Sequence, residues 1–134
     1  AKQCISRRDL YWGKRPLESA HWAGAIDNVG GDMLSGLTRV IKPYGNIASC
    51  GLAAAPELQT TVMPFIIRGL NLLGIASAGT AREIRDEVWA HLATDWKPAH
   101  LERIATREVG LADLPGVFDV MLAGGSFGRT VVKI

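Results

Sequence analysis

A chain of 134 residues, 48% hydrophobic and 21% charged, carries enough apolar material for a buried core, as an ordinary globular protein does. Its net charge of +2, without any run of Lys or Arg, excludes the basic stripe of a nucleic-acid binder. No stretch approaches the roughly 18 uninterrupted apolar residues of a membrane span, and the opening AKQCISRRDL lacks the apolar centre of a signal peptide. Cys4 and Cys50 make neither a metal spacing nor a disulfide framework, so reduced thiols in a cytoplasmic setting are expected.

Residues 1 to 21 are polar and irregular, with Ile5 placed at the end of a short strand. Arg7-Arg8-Asp9 and Lys14-Arg15-Pro16 read as wet surface turns, or as an arginine whose planar fork meets an anionic ligand. The chain has no initiator Met and opens as if in mid-domain, which gives the expectation of a fragment.

Trp22 to Leu52 then reads as strand, helix, strand. Ala23 to Val29 is a short apolar run, broken by Gly30-Gly31. Met33, Leu34, Leu37, Val40 and Ile41 follow at the spacing of one helix face. Pro43-Tyr44-Gly45 is expected to stop the helix, and Asn46 to Cys50 to restart a strand. Such a unit is a parallel βαβ crossover, whose ligands lie beyond the carboxyl ends of the strands. The loops Asp27 to Gly31 and Ser49 to Ala54 are therefore the first candidates for a site. Asp27 suits a ribose contact or an acid, and equally a helix cap or an Asx-turn that holds its loop.

Val62 to Arg68 is a short apolar helix, with Thr60-Thr61 as caps, Pro64 in its first turn and Gly69 as its stop. LNLLGIAS, from Leu70 to Ser77, reads as a strand buried on both faces. Thr80 and Glu83 have the spacing of a capping box opening a helix to about Trp96, with Ile84, Val88, Leu92 and Trp96 as its buried stripe. Ala105 to Val109 and Arg129 to Ile134 read as strands around a helix within Leu111 to Leu122, and a sheet of their own is the expectation for them. The serines lack a G-x-S-x-G elbow, and His21, His91 and His100 lack ligand spacing. No G-x-G-x-x-G follows a strand, and Gly124 to Gly128 leads from helix to strand, the wrong direction for a phosphate cradle. Cys50 has no basic neighbour in sequence and reads as a small buried hydrophobe.

RPLESAHWAGAIDNVGG, YGNIASCGLA, TTVMPFIIRGLNLLGIAS and the terminal GRTVVKI resemble, in order and spacing, the C-terminal part of zinc-independent medium-chain dehydrogenase/reductases. The branch is that of acryloyl-CoA reductase (NADPH) and related quinone oxidoreductases. The resemblance implies an α/β fold: the second half of a Rossmann-type doubly wound parallel sheet, followed by a returning segment of a GroES-like catalytic domain. On that map residues 1–103 are a partial dinucleotide-binding domain and residues 104–134 the return to the catalytic domain. It implies an NADPH-dependent enzyme that passes hydride to an activated C=C bond, such as an acryloyl-CoA-like enoyl thioester, or to a quinone or enone. By position in the matching motifs, Arg8, Leu52, Ile66, Ser77 and Arg129 resemble cofactor-binding residues. No catalytic residue and no metal ligand is implied within this stretch. The partners implied are a small-molecule substrate and a second copy, pairing through the strand from Leu70 to Ser77; nucleic acid and membrane are not among them. The stretch by itself is expected to be inactive, and a non-catalytic dimerisation module is the alternative reading.

Overall fold

The computed structural model describes residues 3–134 and divides into two compact units, Ala1–Thr80 and Ala81–Ile134. The first unit holds a three-stranded parallel sheet in the order β1-β2-β3. Its elements are β1 (Trp22–Asp27), α1 (Gly31–Val40), β2 (Ile41–Ser49), α2 (Met63–Arg68) and β3 (Asn71–Gly74). Asp27 pairs with Ser49, and Ser49 with Gly74, so the three strands end level with one another. Every loop leaving those ends emerges along one edge of the sheet. No helix among the described residues is long and apolar enough to cross a membrane.

α1 buries the face that its periodicity marks. Leu34, Leu37 and Ile41 form the core with Ile47 and Leu70, while Trp12, Trp22 and Phe65 pack against it. Fully burying each such aliphatic side chain contributes about 1.5–3 kcal/mol. Gly36 is where Trp12 crosses α1, since a Cβ there would fall onto the indole ring. Two polar residues of α1 are also buried, and both are satisfied. Ser35 Oγ donates to the Gly31 carbonyl at 2.8 Å, and Thr38 Oγ1 lies 2.8 Å from both the Ser35 carbonyl and Thr60 Oγ1.

Several expectations are corrected. The helix stops at Val40, and Pro43-Tyr44-Gly45 lies inside β2 rather than ahead of it. Trp22 pairs with Ile41 but Gly24 pairs with Asn46, so the extra residues of β2 form a bulge, with Tyr44 at φ 60. Pro is tolerated in a strand at such irregularities. Ile5 is not in a strand; the segment instead forms a short 3-10 turn, Arg7–Asp9. β3 is shorter than LNLLGIAS, and as an edge strand it leaves Leu73 and Ile75 exposed rather than buried on both faces. Cys50 is exposed, not buried; its thiol donates to the Asp27 carbonyl at 3.4 Å.

α2 keeps part of its expected grammar, but it begins at Met63 and its N-cap is Val62, which makes no side-chain cap bond, rather than a threonine. Pro64 sits in its first turn, Thr61 Oγ1 accepts the Met63 N–H at 3.3 Å, and Gly69 closes it in the left-handed region at φ 59. Arg68 clasps what lies beyond. Its guanidinium donates to the carbonyls of Arg39 (2.8 Å), Ile41 (3.0 Å) and Glu18. One cation thus meets the carbonyl-rich C-terminus of α1, where positive charge is favoured, and ties it to the segment entering β1.

The second unit contains α3 (Arg82–Ala93), β4 (Ala105–Gly110), α4 (Leu114–Leu122) and β5 (Arg129–Lys133). β4 and β5 pair in parallel as a sheet of their own, as the sequence suggested. Val109 and Val117 are its buried apolar residues. No capping box opens α3: Thr80 Oγ1 donates to the Ala76 carbonyl at 2.9 Å, and Ala81 is the residue before the first turn. Nor is its stripe buried, for Ile84, Val88 and Trp96 are all exposed.

Candidate functional site

The loops after β1 and β2 are fastened to each other by main-chain bonds. Cys50 N donates to Asp27 O at 2.8 Å, Ala53 N to Asn28 O at 3.2 Å, and Ala54 N to Val29 O at 2.8 Å. A bridge between Gly30 and Ala55 extends the seam. Glycine is needed on both sides of it. Gly30 adopts φ 71, ψ −160, a region open essentially only to glycine, and a Cβ there would strike the Ala55 carbonyl. A Cβ on Gly51 would come within 2.9 Å of the Asn28 carbonyl.

Asp27 holds the first loop from beneath and is only 2% exposed. Its Oδ1 accepts the Val29 and Gly30 N–H groups, and its Oδ2 also faces Gly30 N, each at 3.2 Å. The carboxylate is thus spent on its own loop. Among the roles the sequence left open, the geometry is that of an Asx-turn holding its own loop.

Beyond this seam lies a cleft of about 590 Å³, within the size range of small-ligand sites. Gly30, Gly31, Asp32 and Met33 form one wall, Ala54, Ala55, Glu57 and Gln59 another, with Arg7 and Trp12 between them. The second wall is fixed to α1, because Gln59 N donates to Ser35 Oγ at 2.9 Å. One guanidinium faces two carboxylates here. The two carboxylates are acceptors suited to sugar hydroxyls, and Gly30 to Met33 belong to the N-terminal turn of α1.

Of the residues carried over from the resemblance, Leu52 and Ser77 follow the level ends of β2 and β3 and share that edge of the sheet. Ile75 N, which donates to the Ser49 carbonyl at 2.9 Å, marks the step before Ser77. Arg8 lies in the turn Arg7–Asp9, but the arginine lining the cleft is its neighbour Arg7. Ile66 lies exposed on the short helix α2, whose last residue is anchored to Ile41, at the opposite end of β2. Arg129 begins β5 in the second unit, beside a small cleft lined by Phe118, Met121 and Val132. Among the described residues, no three His, Cys, Asp or Glu side chains gather as a metal site. Arg7 belongs to the stretch that the sequence marks as a wet turn or an anion contact, whereas Gln59 carried no sequence signal that set it apart.

A parallel sheet with level carboxyl ends, and a cleft at those ends, is the arrangement of a Rossmann-type α/β domain. No protein-family model matches the chain. Known proteins do. The protein YhfP of Bacillus subtilis is 40% identical over the whole chain, which spans 41% of that protein. The acrylyl-CoA reductase AcuI of Ruegeria pomeroyi is 42% identical, again over the whole chain and 41% of its own length. The solved structure of the Salmonella enterica yhdH oxidoreductase, in complex with NADP, superposes with a TM-score of 0.87 at 42% identity, covering 97% of this chain and 40% of that one. The chain is similar throughout to YhfP, AcuI and the yhdH oxidoreductase, and spans about two fifths of their length.

Proposed function

We propose that this chain is the part of an NADPH-dependent reductase that receives the cofactor's nucleoside and nicotinamide portion. The observation that carries the reading is the cleft at the level ends of three parallel strands, in a chain about 40% identical to oxidoreductases throughout its length. NADPH, when bound, supplies a hydride to an activated C=C bond. The chain's own share is binding and orientation. Leu52 offers an apolar surface beyond β2, Ser77 a hydroxyl beyond β3, and Asp32 and Glu57 acceptors for sugar hydroxyls. Arg7, with Arg8 next to it, is the cation on the anionic side, and Ile66 and Arg129 complete the set carried over from the family. Asp27 and Gly30 keep the loops in register while none of them reacts.

The substrate in this reading is an acryloyl-CoA-like enoyl thioester, with a quinone or enone as the rival within the same class. Residues 1–103 belong to the dinucleotide-binding domain and 104–134 to the returning catalytic segment. Titration of the intact protein with NADPH, followed by nucleotide fluorescence, tests the first claim. Saturable enhancement supports it, and a flat titration up to millimolar NADPH overturns it. Turnover of acryloyl-CoA against a simple quinone then separates the substrates.

A second reading rests on β3. It stands at the edge of its sheet with exposed Leu73 and Ile75 close by, a template for pairing with another chain. A homodimer through residues 70–77 would follow, and that contact could exist with or without catalysis.

A further inference from the structure

We propose that a second cleft of the first unit, about 390 Å³ and lined by Lys14, Arg39, Gln59, Thr60 and Thr61, binds a tetrahedral oxyanion, either orthophosphate or a small phosphate monoester. Its lining includes two cations, the Thr61 hydroxyl and the Gln59 amide as donors, and no carboxylate, while the Thr60 hydroxyl is engaged with Thr38 Oγ1. Among the described residues, neither Lys14 nor Arg39 belongs to any ion pair. The nearest acid in sequence, Glu18, is already occupied. Its Oε1 accepts the Lys14 and Arg15 N–H groups at 3.0 and 2.9 Å, and its Oε2 pairs with the Arg15 guanidinium at 2.6 Å.

The donors are held in place before any ligand arrives. Arg39 is half-buried, and Nη1 donates to the Gly13 carbonyl at 2.8 Å, which fixes the planar fork. Thr61 Oγ1 accepts the Met63 N–H and so retains its own proton to donate. The C-terminus of α1 lies close by, and its partial negative charge would repel an anion. That charge is met within the fold: Glu18 N and Arg68 take the Arg39 carbonyl, and His21 N takes the Val40 carbonyl. Gln59 lines both this cleft and the larger one, so the oxyanion site adjoins the cofactor cleft and is distinct from it.

Orthophosphate and glycerol 3-phosphate, each titrated into the intact protein at constant ionic strength, test the proposal through the amide resonances of Thr60 and Thr61. Saturable shifts are expected with at least one of the two. Tighter binding of the ester identifies a phosphorylated small molecule, and tighter binding of orthophosphate identifies the free anion. Lys14→Gln, on an exposed stretch, should weaken binding by about threefold to tenfold. Thr61→Val should weaken it and also loosen the start of α2, where Oγ1 accepts the Met63 N–H, whereas Thr61→Ser should restore both. Linear, unsaturated shifts, or an unchanged response in Lys14→Gln, would overturn the site. NADPH titration of Lys14→Gln should match the unsubstituted protein, so this proposal and the cofactor reading fail independently.

Discussion

Both carboxylate oxygens of Asp27 lie 3.2 Å from the Gly30 N–H. This pair fixes the first residue of the cleft wall, and the two residues depend on each other. Asp27→Asn keeps one acceptor but turns an NH2 group toward backbone donors in a buried place. It should cost about 1–3 kcal/mol of stability, the range for a buried donor left unsatisfied. Gly30→Ala forces a side chain onto the Ala55 carbonyl in a backbone region reserved for glycine, at a cost of about 1–3 kcal/mol in strain. Both variants should weaken NADPH binding, and amide exchange at Val29 and Ala54 should quicken together. An alanine at Gly30 that leaves exchange and affinity untouched would show that the seam does not govern the cleft.

Acid should loosen the segment before β1 through Glu18. Hydrogen bonding from the Arg15 side chain, foremost, holds the Glu18 carboxyl at about 2, below its ordinary 4.5. The same pairing raises the Arg15 pKa, so that guanidinium stays charged throughout. A depressed carboxylate stabilises the fold fully above 4.5, and the contribution fades as pH falls from there through about 2. The Lys14 and Arg15 amide resonances should therefore move within that window. Glu18→Gln should flatten this part of the pH profile. An identical profile in the variant would assign the acid response to another group.

Arg68→Met should be among the most destabilising single changes in the first unit. It removes one guanidinium from three carbonyls, those of Glu18, Arg39 and Ile41. Bonds to a charged donor contribute about 1.5–3 kcal/mol each, although the carbonyls regain some water when the clasp opens. Arg68→Lys should recover only part of the loss, since an ammonium lacks the fork that spans separate acceptors. Chemical denaturation of the three proteins checks the order. Equal stability of Met and Lys variants would mean that the clasp acts by packing alone.

The sequence made α1 and the two loops legible because a helix face and strand-ending glycines leave local marks. It could not show that Pro43-Tyr44-Gly45 sits inside β2, because a helix stop and a strand bulge use the same residues and only pairing with β1 tells them apart. The stripe on α3 was visible as periodicity, yet Ile84, Val88 and Trp96 are exposed, since spacing reports amphipathicity and not what covers it. Arg7 and Arg8 are indistinguishable until the turn they share decides which one faces the cleft. Ile66 was carried over by motif alone. A chain leaving the carboxyl end of β2 must return to the other end to start a parallel β3, and α2 lies at the close of that return.

The edge of β3 gives a prediction that separates assembly from folding. Ile75 N points to β2, where it meets the Ser49 carbonyl. Main-chain groups of a strand face alternate sides, so the Gly74 N–H points away from β2, toward the open edge. Nothing lies within 4 Å of where a Gly74 Cβ would stand. Gly74→Pro should therefore remove one outward donor without disturbing the β2 pairing, and proline is tolerated on such an edge. If two copies pair through residues 70–77, light scattering should show the substituted protein shifted toward monomer, with its unfolding midpoint nearly unchanged at low protein concentration. A dimer that survives the proline would place the contact on another surface and leave the edge of β3 to solvent.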